Sequence, residues 1–291
     1  ECSVPSVRQG LAGAGHVVFF HFVTEGDCKV RLAGATEVHE ACAGDLILIP
    51  QDDRHLLGSN LELAPLDTDT LLAGAVAGDD EIVHLRHGGG GTVTRFVCGY
   101  LACDRGVCRP ILEALPRVLR IPIGDGPASS MLRDLLRIGV RESSALRPGA
   151  GSLLAKLSEL MFVEALRRYV EDVPPRGTGW LAGLRDAQVG RALALLHGEP
   201  ARAWTVEELA TKVALSRSAL AERFAALVGE PPMQYLTRWR LALAAQRLRA
   251  GREPVARIAE RSGYESEAAF NRAFKREYGM PPAAWRKTAA Q

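Results

Sequence analysis

The sequence predicts an α+β protein: an N-terminal antiparallel β-barrel or jelly roll followed by helices, then a C-terminal all-α domain with two helix-turn-helix motifs joined by a linking helix. Three observations carry this expectation. Short apolar runs alternate with Gly- and Asp-bearing turns up to about residue 105. Two C-terminal stretches, 206–232 and 255–282, repeat one another. Between them, Met233–Arg249 runs for 17 residues without Gly or Pro.

The repeat is specific. Leu209-Ala210 matches Ile258-Ala259 at an offset of 49, whereas Phe224, Gly229 and Pro231-Pro232 match Phe274, Gly279 and Pro281-Pro282 at an offset of 50. The extra residue falls within Gly263–Ser266, where a turn tolerates it. In the first copy Thr205 and Ser216 stand as N-caps before stripes at helical spacing, Val206, Leu209, Ala210 and Val213, then Leu220, Phe224, Leu227 and Val228. Gly229 and two prolines stop the second helix. The second copy repeats the scheme with Ser266 as N-cap, Phe270, Phe274 and Tyr278 as stripe, and Gly279 as stop. Such helices present their first turns to the major groove of DNA. The linking segment, apolar at Leu236, Trp239, Leu243 and Leu248, spans about 25 Å as a helix. It sets two recognition helices about one duplex turn apart. A pair of helical hairpins serving as an interaction module is the alternative.

Charge divides along the same line. From Leu181 onward there are 18 Lys and Arg against 11 Asp and Glu, whereas the preceding residues carry 18 against 23. The total of +2 hides a basic C-terminal part on an acidic N-terminal one, as expected of a nucleic-acid reader joined to a sensing domain. No apolar run approaches the roughly 20 residues of a membrane span; Val17–Val23 is interrupted by His21. No secretory leader is visible in the residues given, and the expected location is the cytoplasm.

The expected organisation is a barrel over 1–110, a helical segment over 111–172, a linker over 173–180 containing Pro174-Pro175, and the DNA-binding domain over 181–291. Strands are expected at His16–Val23, Val30–Leu32, Asp45–Ile49, Ile82–Leu85 and Thr92–Leu101, and amphipathic helices at Met131–Glu142 and Ser152–Val170. All six cysteines and six of the seven histidines lie in the first 108 residues, without CxxC spacing. In a reducing compartment these thiols are either inert and buried or redox sensors. His16, His84, His87 and Arg95 are the candidates for lowering a thiol pKa. In a regular strand Cys98 and Cys103 point to opposite faces.

From Trp204 to Arg286 the chain resembles the DNA-binding domain of AraC/XylS-type transcriptional regulators. The resemblance rests on Leu215-Ser-Arg-Ser218, Tyr235-Leu-Thr-Arg-Trp-Arg240, Ile258-Ala259, Gly263–Phe270, Arg272–Arg276, and Gly279 with Pro281-Pro282 ahead of Trp285-Arg286. It implies base contacts from Arg217, Ser218, Ala221 and Glu222 in the first copy and from Glu267, Ala268, Asn271 and Arg272 in the second. By chemistry Arg272 suits guanine, Asn271 adenine and Glu222 cytosine. Ser218 and Ala221 stand where the family often has longer side chains, so the first copy reads fewer bases or leans on DNA shape. Arg238, Arg240, Lys275 and Arg286 are expected at phosphates. The partners implied are double-stranded operator DNA, a second copy of the chain docked through Ser152–Val170, and RNA polymerase.

Gly44–His55 resembles the second motif of cupins, with Asp52 where that motif usually has Gly. Of the first cupin motif, His21 and Glu25 fit while Phe19 replaces a His. The cupin resemblance therefore converges His21, Glu25 and His55 on one place, although regulators of this kind commonly use the barrel without metal, and no metal or other cofactor is assigned. The chain as a whole resembles a subgroup of AraC-type regulators that respond to reactive chlorine or electrophiles through cysteine oxidation. The matching features are Cys2, the His55 motif, Val97-Cys98-Gly99 and Leu115-Pro116. It implies sensing by Cys98 and Cys2, with Cys103 and Cys108 as extra thiols beside that pair. Alternatives are a metal or small-molecule signal and, more remotely, a cupin metalloenzyme fused to DNA-binding helices; no catalytic residue is assigned.

Overall fold

In the computed structural model, the described residues are 15–66, 85–123, 130–145, 148–172, 179–251 and 253–288. The chain divides into two compact units, residues 1–103 with 115–171, and residues 104–114 with 172–291. The expected strand at Ile82–Leu85 and the linker prolines lie largely or wholly outside the described residues, as does Cys2.

The first unit is built on seven strands: β1 (His16–Glu25), β2 (Asp27–Leu32), β3 (His39–Cys42), β4 (Asp45–Ile49), β5 (His55–Gly58), β6 (Arg95–Cys103) and β7 (Leu119–Pro122). The sequence leads one to expect an antiparallel barrel or jelly roll. Among the described residues the strands form two antiparallel sheets, in the orders β6-β1-β4-β7 and β3-β2-β5, and no closed barrel. The change of sheet happens at Gly26, the single residue between β1 and β2. Its φ of 75° suits glycine, and a Cβ there would lie 2.6 Å from the Val93 carbonyl oxygen. Side chains rather than a continuous ladder then close the unit. Val17, Phe19, Val23, Ile47 and Ile49 of one sheet pack with Cys28, Val30, Leu32 and Ala41 of the other in one buried cluster. Asp45 is buried and held by the Cys42 amide and the Arg120 guanidinium, both at 2.8 Å.

Two helices belong to this unit, α2 (Ser130–Ala145) and α3 (Ala150–Asp172), following a shorter helix α1 (Arg105–Ala114). On α3, Ala150, Leu157, Met161 and Ala165 are buried, while Leu153, Leu160 and Val163 are exposed on the stripe beside them.

The second unit contains α1 and the helices α4 (Trp180–Arg185), α5 (Ala187–Gly198), α6 (Val206–Lys212), α7 (Arg217–Val228), α8 (Pro232–Ala250), α9 (Val255–Arg261), α10 (Glu267–Tyr278) and α11 (Pro282–Thr288). Two hydrophobic cores lie among its described residues. One joins α5, α6 and α7 to Tyr235 and Leu236 at the start of α8. The other joins α9 and α10 to Leu241, Ala244, Ala245 and Leu248 farther along the same helix. In the first core, burial pushes the Tyr235 hydroxyl up to about 12 and holds His197 down to about 4. The Tyr235 hydroxyl accepts from Trp180 Nε1 at 3.0 Å and lies 2.6 Å from His197 Nε2. Helix α1 packs on α8 and α4 although it holds Pro110 and Gly106. Asp104 caps it through Gly106 and Val107 and binds Arg249 of α8 at 2.6 Å.

Candidate nucleic-acid interface

Helices α7 and α10 are made by the same local chemistry. Ser216 and Ser266 precede them in extended backbone, and each Oγ accepts an amide N–H three residues on, from Ala219 and Ala269, at 3.2 Å. Their far ends close on left-handed Gly229 and Gly279, whose amides donate to Ala225 and Lys275 at 2.9 Å. The turns before them also agree. Ala214 (φ 57°) and Gly263 (φ 75°) take the left-handed position, and the next amide, of Leu215 or Tyr264, bonds back to Ala210 or Ala259 at 3.0 and 3.1 Å. The extra residue of the second copy is therefore Glu265, exposed between Tyr264 and the cap.

Burial of Leu220 and Phe224, and of Phe270 and Phe274, fixes which face of each helix turns outward. The base-reading candidates then fall on equivalent positions: Arg217 with Glu267, Ser218 with Ala268, Ala221 with Asn271, Glu222 with Arg272. Ala221 and Asn271 are half-buried and the other six are exposed. Arg217 pairs with Glu207 of α6 at 2.8 Å, but both side chains are exposed. Such a pair contributes at most about 1 kcal/mol and yields easily to DNA.

The four expected phosphate contacts differ among themselves. Lys275 is exposed on the last turn of α10. Arg238, Arg240 and Arg286 are half-buried and already bound to protein acceptors. Arg238 pairs with the Glu230 carboxylate and lies 5.9 Å from the Tyr235 ring centroid. Arg240 donates to the carbonyls of Pro200 and Arg202 at 2.6 and 2.7 Å, and Arg286 donates to the Glu253 carbonyl.

In the first unit the expected histidine–glutamate cluster is corrected. His21 and His55 do meet, Nε2 to Nε2 at 2.7 Å, and both are buried. Glu25 does not join them, because strand pairing sets it opposite Arg95 and the two form an exposed ion pair. The third group is Cys98, paired with His21 across β1 and β6, its Sγ 2.6 Å from His21 Nδ1. Among the described residues no cluster of three or more His, Cys, Asp or Glu side chains has metal-holding geometry.

Hydrogen-bond logic orders this chain of groups. Burial, and for His21 also the neighbouring His55, lowers both histidine pKa values, so both are neutral at pH 7. His55 Nδ1 donates to the Asp53 carbonyl at 3.0 Å, which leaves its Nε2 as an acceptor. His21 Nε2 must then donate, and His21 Nδ1 faces the Cys98 thiol as an acceptor. His21, which the sequence offered only as a metal ligand, is thus the group beside the thiol. His16 instead lies 2.6 Å from the Pro50 carbonyl, Arg95 is taken by Glu25, and His84 lies outside the described residues. Strand pairing was the missing signal. Cys103 ends the same strand, and with unbroken register between them Cys98 and Cys103 lie on opposite faces. Cys28 is buried, with its pKa raised to about 11 chiefly by that burial.

The chain is similar to known proteins across most of its length. A cupin family matches residues 4–171, and a helix-turn-helix domain family matches residues 209–288. A putative AraC-like transcription regulator of Streptomyces lividans is 38% identical over 275 residues, covering 94% of this chain and 88% of that protein. The RCS-specific HTH-type transcriptional activator RclR of Escherichia coli is 28% identical over 294 residues, covering 100% of this chain and 92% of the relative. Among solved structures, the DNA-binding domain of AdpA in complex with a target DNA is 33% identical, covering 35% of this chain and 92% of that one, with a TM-score of 0.33.

The matched turns generate a stability prediction. Ala214 holds a left-handed conformation that Gly263 holds without a Cβ. Ala214→Gly is expected to stabilise the helical unit by about 1 kcal/mol, read as a higher thermal midpoint. An unchanged or lower midpoint would count against strain at this turn.

Proposed function

The chain belongs to the AraC-like transcriptional regulators, and on that premise we propose that it reads an operator through α7 and α10 and responds to oxidants at Cys98. The observation carrying the DNA reading is the equivalence of the two capped helices, with the same four outward positions on each. Arg272 reads guanine, Asn271 adenine and Glu222 cytosine, while Lys275 contacts phosphate. The hydroxyl of Ser218 and the methyl of Ala221 leave the first helix with less to say to bases, so DNA shape contributes more there.

The signal reading rests on the Cys98–His21–His55 chain. His21 Nδ1 takes the thiol proton as sulfur attacks an oxygen- or chlorine-donating oxidant. Two electrons pass from sulfur to the oxidant, whose O–O or O–Cl bond breaks and whose leaving fragment takes the proton from His21; the sulfenic or chlorinated product then condenses with a second thiol, releasing water or hydrogen chloride. Cys2, Cys103 and Cys108 are the partners available from the sequence. Strand β6 ends at Cys103 and continues through Asp104 into α1, which packs on α8. That continuity gives a change at β6 a covalent path to the helical unit. The exposed stripe Leu153, Leu160 and Val163 on α3 supports pairing with a second copy of the chain.

Three outcomes test these assignments. Arg272→Ala is expected to cost about 1–3 kcal/mol on the preferred duplex and to relax choice at one base position. A uniform loss across all sequences would argue for a phosphate contact instead. Cys98→Ser should abolish the hypochlorite response of a reporter while leaving operator affinity within about twofold; an unaltered response removes the thiol reading. Leu160→Arg should sediment at half the mass of the wild-type chain, and an unchanged mass would place the seam elsewhere.

A further inference from the structure

We propose that Arg240 is a positioning residue that locks the two helix-turn-helix halves at a fixed angle, by clamping the loop between α5 and α6 against the turn of the second half. The inference rests on the DNA reading above and concerns how the two readers keep their register. It begins from the two cores. One closes on Tyr235 and Leu236, the other on Leu241, Ala244, Ala245 and Leu248. Arg240 stands at the junction, on the stretch of α8 between those anchors. A single helix resists stretching better than twisting, so two bodies strung on one rod need a second tie.

The loop 199–204 supplies it. Within the first half the loop is stiffened on its own account. Trp204 is buried and donates from Nε1 to the Glu199 carbonyl at 3.1 Å. Arg202 pairs with Glu199 at 2.9 Å and with Glu208, and lies 4.3 Å from the Trp204 ring centroid. The Arg240 fork holds two carbonyls of this loop, Nε on Pro200 and Nη2 on Arg202. The second half meets the same loop: a Cβ on Gly263 would sit 2.5 Å from the Ala201 carbonyl oxygen. Loop and turn therefore meet backbone to backbone. Gly263 thus has two reasons to be glycine, its left-handed φ and this approach.

The chemistry of Arg240 fits a bracket better than a phosphate contact. Both its acceptors are main-chain carbonyls two residues apart, which a planar fork spans and an ammonium point charge does not. The consequence for DNA is geometric. Adjacent major grooves are about 34 Å apart, and a twist of roughly 10° over half that distance moves a base-reading atom by about 3 Å, beyond hydrogen-bond reach.

The test uses the full chain carrying Arg240→Lys, which keeps charge and helix propensity, with Arg240→Ala beside it. The probes are the duplex selected by the wild-type chain from a random pool, each of its two boxes alone, and the same duplex with one base pair added between them. The bracket predicts that R240K binds the intact duplex about tenfold more weakly, holds each single box within about twofold, and loses the preference for native spacing. It also predicts that amides of residues 201–204 and 262–264 lose hydrogen-exchange protection together, without DNA present. A phosphate contact predicts near-normal binding by R240K and a salt dependence lowered by about one unit in R240A. That pattern, equal losses on single boxes and intact duplex, or unchanged exchange protection would each overturn the bracket. Should the wild-type chain select no sequence, the DNA reading falls, and the exchange measurement still judges the bracket on its own.

Discussion

Helix α8 is buried at both ends, in two different hydrophobic cores, and the rest of the helical unit depends on that constraint. Tyr235 and Leu236 belong to the first core, Leu241 to Leu248 to the second, so neither half can bury its apolar face without the same 19-residue helix. Local rules then do the rest. A serine cap starts each outward helix, a left-handed glycine ends it, and a buried aromatic stripe turns the remaining face to solvent. Function follows from what stands on that face, because burial has already decided which residues are available.

The first unit meets a different constraint: it buries three histidines, His16, His21 and His55, and the last two touch. An unpaired imidazole in an apolar core costs several hydrogen bonds' worth of desolvation. His21 and His55 meet that cost by donating in series toward the Asp53 carbonyl, and the last acceptor of the series faces Cys98. The same lowered pKa that keeps His21 neutral also makes it a weak base. No helix among the described residues is long and apolar enough to cross a membrane.

Much of this was legible in the sequence where the cause is local. The repeat offsets located both outward helices, and caps and stops bounded them to the residue, since Ser216, Gly229, Ser266 and Gly279 act through their own backbone. The expected strand at Asp45–Ile49 coincides with β4, and Met131–Glu142 lies within α2. What depended on distant partners was not legible. Helix α1 contains Pro110 and Gly106, so propensity argues against it; packing on α8 and α4 holds it. Strands β3, β5 and β7 have only four residues each and too little pattern to stand out. Whether the strands close as one ladder or as two packed sheets was left open, because side-chain packing between sheets cannot be read from alternation. Glu25 was grouped with the histidines by motif position, and only the β1–β6 register assigned it to Arg95 and brought Cys98 in its place.

The central claim is that two equivalent helices enter successive major grooves on one side of a duplex. Hydroxyl-radical footprinting of the full chain on its selected operator measures this most directly. The account predicts two protected patches on one face of the DNA, their centres about 10 base pairs apart. A single patch, or two on opposite faces, would contradict it.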